Sequence, residues 1–535
     1  MTDNKAKQSQ KQQDAEKAIV KSITDDFAAR QEMRRPYEAA WQMNVNFVMG
    51  NQYCRVGNRG TVEQEEKFYY WQEKQVFNRI APLVETRISR LNRVRPRPVV
   101  RPFGSDEKDE NAAKLSTAVL DAARERLRLS DLISRAVMWS EVCGTAFYKI
   151  VWDESISDVS VCVCSPFEIY PDSNVAENLD DCHSIIHAKC YSAEEVERIW
   201  GVKAQGSDVK VFDTGGATVG GGFGYNSLVP SVTQQTKSNQ VLVLERYEKP
   251  TVTCPQGKLQ IVAGDKLVVN CPLPYAVGDN GDPSFPFVRQ ISLARPGCFW
   301  GASVVDRLIP VQRAYNAVKN RKHEFLNRIA MGVLAVEDGS VDVDDLEEEG
   351  LSPGKIIVYR RGATMPKLMD GGDVPQAFAD EEAKLSEEFV AVSGVSEFAV
   401  VSSAPSNIKS GVALQLIAEQ DELRISSGID SIKSCVMLVA KCILRLYKQY
   451  VTATKLMRLV GSDSRAEVKG FVGSDLSADD ITFQTDNESS DTPATRRSML
   501  FDLISAGVLT DENGKMNSEV KQKILQIMGF ENLVC

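Results

Sequence analysis

Along the chain the spacing of apolar residues changes period several times, and each change marks an element. Within roughly the first 50 residues a polar leader gives way to an amphipathic helix, with Tyr37, Trp41, Val45 and Val48 at helical spacing. A helix entered near Pro82 then runs into an extended arm framed by Pro96, Pro98 and Pro102. A further helix is predicted from Asp109 to Trp139. After Gly144 the period falls to two. AFYKIVWD and DVSVCVCS read as a hairpin, closed by SPFEIYPDS, where Pro166 and Pro171 stop the sheet. A strand follows in DDCHSIIHAKCYS, and Ser192 with Glu195 forms a capping box opening a short helix to Trp200. NQVLVLERYE, KLQIVAG and DKLVVN continue the strands up to a Pro-rich stretch, Pro272 to Pro286.

Two long helices come next. Positions 304, 308, 311, 315, 318, 325 and 329 are apolar, with Lys322 in the one gap. At about 1.5 Å per residue this helix is roughly 42 Å long. The second runs from about Val412 to Lys455, striped by Ile425, Ile429, Ile432, Val436, Val439, Ile443, Leu446 and Tyr450. Helices of this length suggest packing against equivalent helices of other subunits. Between them lie a strand-rich insert (Val333 to Gly372, including KIIVYRRG), a helix from Gln376 to Ser393 and a Gly/Ser/Ala-rich joint. The tail is polar, with helices opened at Thr492-Pro493 and Asn517-Ser518. Strands and helices in separate runs define an α+β class.

Composition narrows the functions. The 535 residues suggest about three or four structural units. Lys+Arg of 63 against Asp+Glu of 73 gives a net charge of −10, which excludes a surface that grips nucleic acid throughout. Basic character is local: seven arginines (79, 87, 90, 93, 95, 97, 101) stand against Glu85 between Asn78 and Arg101. The leader has no apolar core of a signal peptide and no apolar run reaches a membrane span, so a cytosolic product is expected. The 12 cysteines are scattered, which fits reduced thiols.

Enzyme chemistry finds little footing. None of the histidines (His183, His187, His323) stands beside a nucleophile motif, and neither GxSxG nor GxxxxGK[ST] occurs. GGATVGGGFGYNS lacks the Lys-Ser/Thr ending of a phosphate loop and reads as a mobile surface loop. VDVDDLEEEG has Glu347 where a calcium loop needs glycine, and reads as a charged partner-facing loop. Cys182, His183, His187 and Cys190 hold zinc-ligand atoms. On a strand, however, the two histidines stand about 13 Å apart at about 3.3 Å per residue, so no metal site is expected.

Taken in order, several segments resemble those of tailed-phage portal proteins, most of all portals of short-tailed phages. RRPYEAAWQMNVNFVMGNQY with KQVFNRIAPLVETRISRLNRVRPRPVVRP is similar to their entry segment. EVCGTAFYKIVWD and SPFEIYPDSNVAENLDDCHSIIHAKCYSAEEVERIWG are similar to wing segments, and RPGCFWGASVVDRLIPVQRAYNAVKNRKHEFLNR to the approach and first stem helix. The resemblance covers roughly residues 30–460. It implies a portal fold with an α/β wing (1–300), a first stem helix (301–331), a small α/β clip (332–373) and a second stem helix (374–393). A tunnel loop (394–410), a long wing helix (411–457) and a short helical crown (458–535) complete it.

The resemblance further implies a twelve-subunit ring at one capsid vertex, assembled in the host cytoplasm and retained in the virion. Its partners would be double-stranded DNA, the terminase large subunit, the major capsid or scaffolding protein and tail adaptor proteins. It implies no enzyme activity, cofactor, metal or membrane. Another ring-forming adaptor or scaffold, or a metal-dependent nuclease using the acidic insert, are the alternatives. In the channel, Lys319, Lys322, Arg321 and Arg328 of the first stem helix and Lys409 of the joint are the expected DNA contacts. Glu347, Glu348, Glu349, Arg360 and Arg361 of the clip are the expected terminase or adaptor contacts. A net negative chain with spaced basic belts suits passage of DNA, since each neutralised phosphate adds affinity.

Overall fold

The computed structural model describes residues 2–57, 62–65, 72–94, 96–102, 104, 106–221, 226–278, 281–331, 333–341, 356–369, 374–395, 411–460, 466–476 and 481–483. They fall into two units, one of residues 1–94 with 98–482 and one of 95–97 with 483–535. The second lies almost wholly outside the described residues, as do both predicted tail helices. All that follows concerns the first.

Leader and amphipathic segment form one helix, α1 (Thr2–Met49). Two buried arginines dock it. The Arg30 guanidinium donates to the carbonyls of Tyr170 and Ser184, each at 3.1 Å, and pairs with Asp26. The Arg34 guanidinium pairs with Glu38 and donates to the carbonyls of Pro166 and Phe167 at 2.9 and 3.0 Å. A short hairpin, β1 (Cys54–Val56) with β2 (Val62–Gln64), leads to α2 (Ile80–Leu91) and β3 (Pro98–Val100). The helix expected from Asp109 to Trp139 is two, α3 (Glu107–Arg126) and α4 (Leu129–Cys143). Arg128 between them takes a left-handed φ of 48°. Arg126 turns away to Asp158 and the Val159 carbonyl at 2.9 and 2.8 Å, which ties the end of α3 to the next sheet.

The predicted hairpin is β4 (Thr145–Asp153) and β5 (Asp158–Cys164), antiparallel, pairing Phe147 with Cys164 and Asp153 with Asp158. A 3₁₀ turn (Pro166–Glu168) follows, and then β6 (Ile169–Pro171), so Pro171 ends a short strand of a second sheet rather than the first. Next come β7 (Ser184–Ser192) and α5 (Ala193–Trp200), whose Ser192–Glu195 capping box forms as expected. Of the glycine cluster expected as a loop, residues 215–221 and 226–227 lie instead in a long antiparallel ribbon, and 222–225 lie outside the described residues. In it β8 (Ser207–Gly221) pairs with β9 (Asn226–Glu248), with Thr218 opposite Val229 and Gly221 opposite Asn226. Thr and Val between the glycines supply the β propensity that keeps the backbone extended. Two more strands, β10 (Lys258–Ala263) and β11 (Lys266–Cys271), complete a sheet of order β11-β10-β9-β7-β6, with β8 also on β9. Then β12 (Phe287–Ile291) joins β4 and β5 in a three-stranded sheet.

The long helices are α6 (Val304–Met331), α7 (Gln376–Ser393) and α8 (Gly411–Tyr450), with the short hairpin β13 (Val333–Ala335) and β14 (Lys367–Met369) between the first two. KIIVYRRG was expected in a strand; residues 356–362 are irregular and exposed. Ile356 and Val358 find no partner strand there and are 85% and 80% exposed. The last helix stops at Tyr450, earlier than expected, and β15 (Lys455–Val460) pairs with β16 (Ala466–Phe471). Lys455 is drawn to Asp158 at 2.9 Å, which turns the chain.

Ile425, Ile432, Val436, Val439, Ile443 and Leu446 of α8 are buried in one core with α3, α4 and the β4–β5 hairpin. The stripe therefore packs within its own chain and not, as its length suggested, only against other subunits. A second core gathers Trp41, Phe147, Phe167, Phe299, Trp300 and Leu308. There Trp41 and Trp300 meet edge to face at 4.7 Å, and the Trp300 indole donates to Asn174 at 2.9 Å. Gly144 and Gly301 allow this core to close. Gly144 has φ +84°, and a Cβ on Gly301 would collide with the Gly144 carbonyl oxygen.

Candidate stem and clip segments

The first turns of α6 are anchored in the second core. Val304, Val305 and Leu308 are buried, and the Ser303 hydroxyl donates to the Glu141 carbonyl at 2.6 Å. Glu141 also holds Arg87 at 2.7 Å, and Arg87 in turn donates to the Ser393 carbonyl at the end of α7 at 2.8 Å. One buried ion pair thus fixes the roots of both helices. Arg79 stacks over Tyr315 and donates to Ser386. Two arginines of the basic stretch are therefore structural.

Beyond its root α6 runs antiparallel to α7. Tyr315 meets Phe389 edge to face at 5.8 Å, and Phe325 meets Phe378 at 6.1 Å. Between these contacts Lys319 and Lys322 both reach Glu382, Lys322 at 3.3 Å. Burial alone would raise the Glu382 carboxyl; hydrogen bonds from the two lysines outweigh it and hold its pKa below the usual range. The two lysines singled out in the sequence are thus brought together, one turn apart, with their charge shared by a carboxylate. Lys319 also lies over the rings of Phe77 and Tyr315. Arg321 and Arg307 are exposed, while Arg313 stacks on Phe47.

Another face of α6 carries a polar ladder that sequence reading missed. Gln312, Asn316, Asn320 and Glu324 recur every fourth residue and accept from the backbone N–H of Arg79, Phe77, Gln75 and Glu73 at 3.0, 3.1, 3.0 and 2.9 Å. Four helical residues rise about 6.0 Å and two extended residues about 6.6 Å, so an extended chain can lie along the helix in register. Gln312 and Asn320 complete the exchange by donating to the Phe77 and Gln75 carbonyls. The signal was present as an uncharged or acidic polar i, i+4 stripe between Gln312 and Glu324, where the other helix positions are apolar or basic.

In the insert between α6 and α7, Arg360 and Arg361 are exposed, and the Arg360 backbone N–H donates to the Ser340 carbonyl at 2.9 Å. Glu347, Glu348, Glu349 and Lys409 lie outside the described residues, and nothing is described of the Arg328 side chain. Of the zinc-type cluster, Cys182 and His187 are buried whereas His183 is exposed, and the four are not gathered. No described helix is long and apolar enough to cross a membrane.

The described residues thus form two sheets against a long helix, with an antiparallel helix pair and a small hairpin between its helices. The family model for the phage P22-like portal protein matches residues 24–495, and the chain belongs to that family. No curated protein matches it. The chain is a phage portal protein of the capsid vertex, a structural virion component that forms an oligomeric ring for genome packaging.

Proposed function

We propose that twelve copies close into a ring with α6 and α7 lining the stem, residues 332–373 as the clip and residues 394–410 as a loop reaching toward the DNA. The family match over residues 24–495 carries this reading. In it, the terminase large subunit docks on the clip during packaging in the host cytoplasm, and tail adaptors take its place afterwards. The scaffolding or major capsid protein holds the wing. The chain itself performs no hydrolysis, and the motor is supplied by its partner.

Exposed Ile356, Val358 and Met365 beside Arg360 and Arg361 support the clip as a docking edge, an apolar patch rimmed by charge. Rim charges chiefly set association rate and salt sensitivity. Imaging of the purified particle should show a closed ring with a central hole and twelve-fold symmetry. Reversing Glu347, Glu348 and Glu349 to Lys should leave that ring intact and weaken terminase binding. A monomer of 59.1 kDa as the sole species at micromolar concentration would overturn the assembly. Unchanged terminase binding would overturn the clip contacts.

A further inference from the structure

Where the two sheets of the wing meet, charged and metal-ligating side chains converge in a buried cluster that plays no part in the stem. Cys164 ends β5, Glu168 lies in the following 3₁₀ turn, and His187 stands at the centre of β7. The strand pairing of Ile169 with His187 folds that turn back over the histidine. As a result Cys164 Sγ lies 3.8 Å and Glu168 Oε2 3.4 Å from the same nitrogen, His187 Nε2. All three ligand atoms fall within 4.8 Å of one another.

We propose that Cys164, Glu168 and His187 form a transition-metal site, suited best to Zn²⁺, that joins the two sheets of the wing. Thiolate, imidazole and carboxylate are the donors zinc takes, at about 2.3, 2.0 and 2.0 Å. Tetrahedral angles at those lengths separate sulfur from nitrogen by about 3.5 Å and nitrogen from oxygen by about 3.3 Å, within a few tenths of an ångström of the spacing already present. The other imidazole nitrogen has an orienting carboxylate. Nδ1 is 3.5 Å from Glu245 on β9, which Lys149 of β4 and the Tyr247 hydroxyl each hold at 2.5 Å. A histidine whose far nitrogen faces a fixed carboxylate is the common arrangement of zinc ligands.

Charge agrees. With the ion bound, the Cys164 thiol proton and the proton on Nε2 pass to solvent. The dication and the Lys149 ammonium are then matched by one thiolate and two carboxylates. Cys162, next but one on β5, is exposed and is not among the three gathered ligands. Entry is provided by a cleft of about 1450 Å³, bordered by Phe27, Arg35, Trp139 and Lys189, in whose wall Glu168 lies.

The test uses the assembled full-length particle, stripped with chelator and titrated with Zn²⁺ alone or Co²⁺ alone. One ion should bind per chain, and Co²⁺ should give a near-ultraviolet thiolate charge-transfer band. Cys164→Ser should remove the band. Glu245→Gln should weaken Co²⁺ binding by about 10–100-fold while keeping the band at saturation. Should the serine variant fail to assemble, Glu168→Gln keeps the test open, since it should lower affinity at least tenfold with the thiolate band retained. No thiolate band at saturating Co²⁺, or one that survives in Cys164→Ser, overturns the proposal. So does wild-type affinity in Glu168→Gln.

Discussion

Asp158 shows how much can rest on one side chain. It begins β5, accepts from the Tyr447 hydroxyl of α8 at 2.6 Å, and pairs with Arg126 of α3 and Lys455 of β15, each at 2.9 Å. Three elements far apart in sequence are fastened at this one carboxylate. Burial would raise its pKa; the hydrogen bonds from Tyr447, Lys455 and the Val159 N–H, with the charge of Arg126, bring it below the usual 3.8. A carboxyl with a depressed folded-state pKa contributes stability that is present above the unfolded value and lost as pH falls toward the folded one. Wild-type stability should therefore drop more steeply below about pH 4 than that of Asp158→Asn. At neutral pH the variant should be less stable by about 1–3 kcal/mol, the cost of removing a charged acceptor from partly buried donors. Denaturant midpoints measured across that range check this. Parallel curves for the two proteins would assign the acid sensitivity to other carboxylates.

Among the elements, the side-chain ladder on α6 makes the sharpest claim. Residues 73–79 have no strand partner, and their alternate N–H groups are satisfied by Gln312, Asn316, Asn320 and Glu324. Asn320→Leu leaves the Gln75 N–H and carbonyl and the Tyr53 hydroxyl without this partner, at about 1–3 kcal/mol. Amide exchange should accelerate at residues 73–79 and stay unchanged in β4 and β5. Equal acceleration in both would mean global unfolding, and protection retained at 75 would show the ladder to be incidental. The long helices and the β4–β5 hairpin were legible because their apolar periods persist, from Val304 to Ile329 with one gap at Lys322 and from Ile425 to Tyr450 without one. The break at Arg128 was not: no glycine or proline marks it, and the Arg126–Asp158 pair that ties down the end of α3 spans 32 residues of sequence. The glycine-rich ribbon was misread because glycine and serine speak for a loop, and only pairing across β8 and β9 makes them strand. The Cys164–Glu168–His187 cluster was invisible for a related reason: the sequence groups His187 with Cys182 and Cys190, whereas the fold brings β5 and its turn to it.

At the level of the whole molecule, the proposed stem role of α6 depends on which of its charges remain available to DNA. Sequence alone offers six cations between Arg307 and Arg328 of α6 against Glu324. The fold commits several of them: Arg313 to Phe47, and Lys319 and Lys322 to Glu382 across the helix pair. Partly exposed pairs of this kind contribute at most about 1 kcal/mol, so Lys319→Gln with Lys322→Gln should loosen α6 from α7 slightly and leave the ring standing. Arg321 is exposed, on a face that ring symmetry would repeat in every subunit. Contacts from such a belt go to phosphates, so they carry no sequence preference, and each adds about 0.9 to the slope of log affinity against log salt. Arg321→Gln should therefore leave assembly intact and flatten the salt dependence of DNA retention, while the lysine pair variant chiefly lowers the thermal midpoint of the ring. Retention assayed by nuclease protection over a salt series separates the two. If Arg321→Gln keeps the wild-type salt slope and the lysine pair variant loses it, the lysines release Glu382 to meet DNA, and Arg321 lies off its path.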